Sequence, residues 1–175
     1  MWGSRSLEAF VDVANDSGVE YYFTAGVALD ALPKRETLTR DHADVNILIS
    51  EVDKEAFMKR FEREGTYWNK NARFPKGMQK HLLPIELWPY TLANGAYIAD
   101  GDKHHREYPF ALLKRTQVGV IDGVAVPIVS DEQLLFDCVQ KGNNARPEDD
   151  ALFDILRNRM DKDLYKKIVN KPSFT

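Results

Sequence analysis

Apolar positions recur along the chain with two periods, one helical and one strand-like. Leu7, Phe10, Val11 and Ala14 fall at i, i+3, i+4 and i+7 behind the capping candidates Ser4 and Ser6, which predicts an amphipathic helix stopped at Gly18. A strand over 19–23 follows, then a turn at Thr24-Ala25-Gly26 that opens a short helix through Leu32, ended by Pro33. The period then changes to two: Val45, Ile47 and Ile49 point to one side, and Asp44, Asn46, Leu48 and Ser50 to the other. A second amphipathic helix carries Val52, Ala56, Phe57 and Phe61 and ends near Gly65.

The middle of the chain is strand-like at Tyr67 and Trp68, over 80–88, and over Val118 to Ile121 and Val124 to Val129. Asp122-Gly123 between the last two is a hairpin signal. Pro84 inside the 80–88 strand predicts an edge position or a bulge. Asn94 to Glu107, with its glycines, aspartates and His104-His105, reads as a mobile loop facing an acceptor, and the two adjacent histidines are a weak metal motif. Ser130-Asp131-Glu132-Gln133 forms a capping box for a helix over 131–141. Pro147 and the acidic turn Glu148 to Asp150 precede a helix with Ala151, Leu152, Ile155, Leu156 and Met160, and Asp161 to Asn170 adds a terminal one. The expected organisation is one mixed α/β domain over 1–175, with a sheet-containing core over 1–130 and helices over 131–175.

Composition narrows the class. The chain has 175 residues, 43% of them apolar and 29% charged, enough to bury roughly 70% of its extended surface in one core. A net charge of -3 gives no general attraction to nucleic-acid backbones, so no nucleic-acid partner is expected. Cys138 is the single cysteine and lies among Leu134, Leu135, Phe136 and Val139, which predicts a buried helix face and no intramolecular disulfide. Neither a secretion signal nor a membrane span is apparent, and the expected location is the cytoplasm.

The candidate chemistry gathers at Arg40-Asp41-His42-Ala43-Asp44-Val45-Asn46. Asp44 and Asn46 stand side by side on the strand, and two such oxygen-bearing side chains grip a hard cation when a neighbouring strand supplies a third. Glu86 is the candidate, because an unpaired carboxylate within the apolar run Leu82 to Trp88 is costly to bury and a metal removes that cost. Asp and Asn also serve as ordinary turn residues, and a strand Glu often faces solvent. Lys34, Arg35 and Arg40 are placed to meet a triphosphate, or else form a solvated basic loop.

From Tyr21 to Ile49 the chain reads YYFTAGVALDALPKRETLTRDHADVNILI, which resembles the opening of the lincosamide and aminoglycoside-2''-type nucleotidyltransferases, members of the polymerase-beta superfamily. LPIELWP at 83–89 resembles the family strand that supplies a third carboxylate. VPIVSDEQLLFDCV at 126–139 and RPEDDALFDIL at 146–156 resemble later segments, so the similarity runs through most of the chain in order. The resemblance implies a nucleotidyltransferase fold, a small mixed sheet flanked by helices with a C-terminal helical part. It implies transfer of a nucleoside monophosphate, most simply AMP from ATP, to a small-molecule hydroxyl with Mg²⁺ as cofactor. In that reading Asp44, Asn46 and Glu86 are the metal-site residues, with Asp44 and Glu86 catalytic. Thr24, Ala25, Gly26, Arg40 and His42 lie near the nucleotide, His42 having the alternative role of ordering the strand entrance by a backbone hydrogen bond.

Three departures from the family pattern qualify this. Ala25 replaces the first family glycine, Asn46 the second aspartate, and Glu86 stands where the family has Asp. An amide oxygen coordinates but contributes no charge, which leaves two negative charges instead of three and leaves catalytic competence open. The rival readings are a non-catalytic nucleotide- or partner-binding module and the nucleotidyltransferase half of a toxin–antitoxin pair.

Overall fold

The computed structural model describes residues 4–33, 36–37, 42, 44–70, 74–79, 82–100, 105–140 and 149–170. Six α-helices and nine strands lie within them: α1 (Ser4–Asn15), β1 (Tyr21–Thr24), α2 (Ala25–Asp30), β2 (Val45–Ser50), α3 (Lys54–Glu62), β3 (Tyr67–Asn69), β4 (Lys76–Gln79), β5 (Leu82–Ala93), β6 (Ala96–Asp100), β7 (His105–Pro109), β8 (Gln117–Ile121), β9 (Val124–Ile128), α4 (Asp131–Gln140), α5 (Asp149–Arg159) and α6 (Lys162–Asn170). The strands form one mixed sheet in the order β3-β4-β5-β2-β1-β9-β8, extended by β6 on β5 and β7 on β6. The mixed α/β architecture expected from the sequence is present.

The alternation on β2 sorts the sheet into two faces. Phe23 pairs with Ile47 and Tyr21 with Ile49 across β1 and β2, while Ile47 pairs with Leu87 across the parallel β2/β5 contact. These residues face α1 and α3, where Phe10 lies 5.5 Å from Phe23 and 5.1 Å from Phe61, and Tyr21 lies 5.7 Å from Phe57, measured between ring centroids. Leu7, Phe10, Val11 and Ala14 are all buried, as their period requires. On α3 the buried stripe is Phe57, Met58 and Phe61; Val52 precedes the helix, which begins at Lys54, and is 86% exposed, while Ala56 lies on the exposed side of the helix. The opposite sheet face carries Thr24, Asn46 and Glu86.

Pro84 does not lie on an edge strand, because β5 is flanked by β4 and β2. It sits in an irregularity instead: β4 pairs Gly77 with Ile85 and Gln79 with Leu82, so β5 holds one residue more than β4 between these pairs. The bulge accommodates a residue with no N–H to give to the ladder.

The described residues of the segment 94–107 form a turn and strand, not the expected loop. Asn94 and Gly95, at φ 52 and 77, turn β5 into β6, and β6 pairs antiparallel with β7. Tyr97 and Ala99 are buried on its inner face, so an alternating strand lay hidden among turn-forming residues. His104 falls outside the described residues. The other hairpin is as expected: Ile121 pairs with Val124 around Asp122 and Gly123, at φ 48 and 85.

Three helices follow β9. The Gln133 N–H donates to Ser130 Oγ at 3.2 Å, which completes half of the capping box; the Gln133 side chain turns inward to accept from Tyr97. Arg106 Nη1 (3.0 Å) and Tyr108 Oη (2.6 Å) donate to Asp137, tying α4 to β7 through a buried polar network. Cys138 is half-buried against the core. Asp161 caps α6, accepting from the N–H groups of Asp163 and Leu164 at 2.9 and 3.1 Å. No helix among the described residues is long and apolar enough to cross a membrane.

Candidate active site

Parallel pairing of β2 with β5 places Asn46 directly opposite Glu86, and antiparallel pairing of β1 with β2 places Thr24 opposite Asn46. Asp44, two residues before Asn46, lies on the same face at the β2 entrance. Residues 40 positions apart in sequence thus form one cluster: Asn46 Nδ2 donates to Asp44 Oδ1 at 3.2 Å and makes a longer contact of 3.5 Å to Glu86 Oε2.

Glu86 is not unpaired: partners other than the metal suggested by the sequence compensate its burial. Trp88 Nε1 donates to Oε2 at 3.1 Å, and Lys76 Nζ on β4 lies 3.0 Å from Oε1. Trp88 is held in turn, stacked on Phe74 with ring centroids 4.8 Å apart at 6° and covered by Arg106 at 4.5 Å. Neither Lys76 nor Trp88 was legible as a site residue. β4 was not predicted, so the register Lys76 opposite Glu86 was invisible, and Trp88 reads as an apolar strand residue.

Burial pushes the Asp44 carboxyl above the usual carboxylate range, and the Glu86 charge pushes it further. Lys76, the Asn46 hydrogen bond and His42 oppose the rise. The Glu86 partnership holds the Lys76 ammonium above its ordinary value. The neighbouring Asp44 and Glu86 carboxylates favour a cation between them.

Around the cluster, Thr24 is buried and its Oγ1 has no hydrogen-bond partner. Ala25 takes φ 53, the left-handed conformation in which glycine is unstrained and alanine is not. His42 Nε2 lies 2.8 Å from Asp30 Oδ2, with both side chains nearly fully buried. This side-chain pair fastens the entrance of β2 to the end of α2, and it takes the place of the backbone hydrogen bond expected for His42. Lys34, Arg35, Arg40 and Arg146 lie outside the described residues.

The donor set suits a hard divalent ion. Asp44, Glu86 and the Asn46 amide offer oxygens from two adjoining strands, provided the amide rotates half a turn to present Oδ1 in place of Nδ2. No group of three or more His, Cys, Asp or Glu side chains with metal-binding geometry occurs among the described residues, in keeping with an amide at position 46.

Comparison with known proteins gives this geometry a family. Solved structures that share the fold include ANT(2'')-Ia in complex with adenylyl-2''-tobramycin, 14% identical with a TM-score of 0.67 and 97% of each chain covered. The antibiotic-resistance factor ANT(2'')-Ia in solution is 15% identical with a TM-score of 0.66, covering 95% of this chain and 88% of that one. The lincosamide antibiotic adenylyltransferase LnuA, lincomycin-bound, is 15% identical with a TM-score of 0.66, covering 90% of this chain and 98% of that one. No curated protein matches the sequence significantly. The aminoglycoside-2''-adenylyltransferase family model matches residues 6–155, and the chain, a nucleotidyltransferase-like protein, belongs to that family.

Proposed function

We propose that the chain transfers a nucleoside monophosphate, AMP from ATP, to a hydroxyl of a small-molecule acceptor. The observation that carries this reading is the meeting of Asp44, Asn46 and Glu86 at one end of the β2/β5 pair, beside the unpartnered Thr24 hydroxyl. Asp44 would be the principal Mg²⁺ ligand and Asn46 a weaker second through its amide oxygen, with Glu86 beside them on β5 as the base. Mg²⁺, when bound, offsets the negative charge of the triphosphate and orients it. Thr24 Oγ1 donates to a phosphate oxygen, and the backbone N–H groups of Ala25 and Gly26 follow it in the turn. Arg40 is assigned to the nucleotide by the family resemblance alone, and His42 is held near the strand entrance by Asp30.

Glu86 accepts the proton of the attacking hydroxyl. The acceptor oxygen bonds to the α-phosphorus, the bond from that phosphorus to the bridging oxygen breaks, and pyrophosphate leaves with the electron pair. ANT(2'')-Ia and LnuA are named for antibiotic substrates, and aminoglycosides and lincosamides are the first acceptors to try. We also propose that residues 1–175 act as one unit and that it works in the cytoplasm, where ATP and Mg²⁺ are abundant.

The experiment is incubation with ATP labelled at the α-phosphate, Mg²⁺ and a panel of hydroxyl acceptors, in wild type and Glu86→Ala. Label transfer by wild type, absent in the variant, is expected. Equal transfer by both would remove Glu86 from the reaction.

A further inference from the structure

Glu86 is engaged on both oxygens, whereas among the described residues Asp44 receives one donor, the Asn46 amide. Trp88 cannot withdraw easily from Oε2, because Phe74 stacks on its ring and Arg106, itself fixed to Asp137 at 3.0 Å, covers it. Lys76 approaches Oε1 from β4, directly across the register from Glu86. Its side chain is 54% exposed while that of Glu86 is 16% exposed, so the ammonium reaches in from solvent to a half-sheltered carboxylate.

The charge balance is equally specific. An amide at position 46 instead of a carboxylate removes one negative charge from the cluster, and Lys76 adds one positive charge. Together they shift the local charge by two units, which is the charge of one divalent ion.

We propose that Lys76 is the built-in cation of this site: its ammonium neutralises Glu86 in place of a metal, so that a single divalent ion enters with the nucleotide, on the Asp44 side. The inference rests on the nucleotidyl-transfer reading and assigns Glu86 to the acceptor side, outside the metal's own ligands. Lys76 is a positioning residue, acting through Glu86.

The test is Mn²⁺ titration of the full chain, followed by electron paramagnetic resonance, with α,β-methylene-ATP present. Wild type, Lys76→Met and Lys76→Arg are compared. Wild type and Lys76→Arg are expected to bind one Mn²⁺ per chain. Lys76→Met is expected to bind a second, or to bind the first at least tenfold more tightly because Glu86 becomes available to it. The exposed position of Lys76 lets the methionine variant fold, and equal melting temperatures of the three proteins check this. Two Mn²⁺ in wild type, or wild-type stoichiometry and affinity in Lys76→Met, would overturn the inference and leave nucleotidyl transfer standing. Failure of all three proteins to bind Mn²⁺ with the nucleotide analogue would overturn both.

Discussion

Asn46 and Glu86 are direct partners across the parallel β2/β5 seam, and the Asn46 amide stands between the Glu86 and Asp44 carboxylates at 3.5 and 3.2 Å. A neutral donor thus separates two negative charges where a third carboxylate would add to their repulsion. Asn46→Asp is expected to lower the stability of the metal-free protein by about 1–2 kcal/mol, or roughly 2–8 °C in melting temperature. Mg²⁺-dependent ATP affinity is expected to rise about tenfold, a gain of about 1.4 kcal/mol. Thermal melts and calorimetry, each with and without Mg²⁺, check both halves. Identical behaviour of the two proteins would mean that position 46 does not face the metal.

Glu86→Ala is expected to reduce transfer by at least about 10²-fold, the ordinary contribution of a positioned base. ATP binding should change little, because Asp44 and Thr24 remain. Separate measurement of turnover and nucleotide affinity distinguishes this from a general loss of the site.

The raised Asp44 carboxyl carries a pH signature. Because its folded value lies above the ordinary carboxyl value of 3.8, the unfolded chain loses this proton first as pH rises. The metal-free protein therefore loses stability from Asp44 as pH climbs from about 3.8 to the folded value. Asp44→Asn removes that penalty. It should melt higher than wild type at pH 7 without metal, the difference should vanish below about pH 3.8, and transfer should be lost. A variant that melts lower than wild type at pH 7 would contradict the assigned strain.

Ala25 pays for its left-handed φ of 53 with roughly 1 kcal/mol, and the greater freedom of glycine in the unfolded chain offsets part of any relief. Ala25→Gly is expected to stabilise the fold by about 0.5 kcal/mol, one or two degrees in melting temperature. A clear destabilisation would show that the methyl group has a packing role.

Asp137 accepts from both Arg106 and Tyr108 in a buried setting. Asp137→Ala leaves a buried guanidinium without that carboxylate and should cost about 3 kcal/mol, or roughly 6–12 °C. Because Arg106 covers Trp88, which holds Glu86, turnover should fall as well in protein that remains folded. Chemical denaturation with parallel activity measurements checks the two effects.

The meeting of Asp44, Asn46 and Glu86 was legible because each rested on a local signal. Asp44 and Asn46 followed from period two on β2, and Glu86 from a carboxylate inside an apolar run. Their union required only that β2 and β5 be neighbours. Lys76 was not legible, since its role depends on a register between β4 and β5 that a bulge at Pro84 shifts by one residue. The β5–β6 hairpin was hidden for a different reason. Turn formers at Asn94 and Gly95 and the polar residues near His105 outweighed the alternation of Tyr97 and Ala99, although Asn-Gly is itself a hairpin signal. Val52 precedes α3, and Ala56 lies on its exposed face, so neither joins the buried stripe of Phe57 and Phe61.

The most direct measurement is calorimetric titration of ATP into wild type and Asp44→Ala, each with and without Mg²⁺. Saturable binding by wild type that requires Mg²⁺ and is lost in Asp44→Ala is the predicted result. Absence of ATP binding by wild type, or binding indifferent to both Mg²⁺ and Asp44, would contradict a nucleotidyltransferase site at the β2/β5 seam.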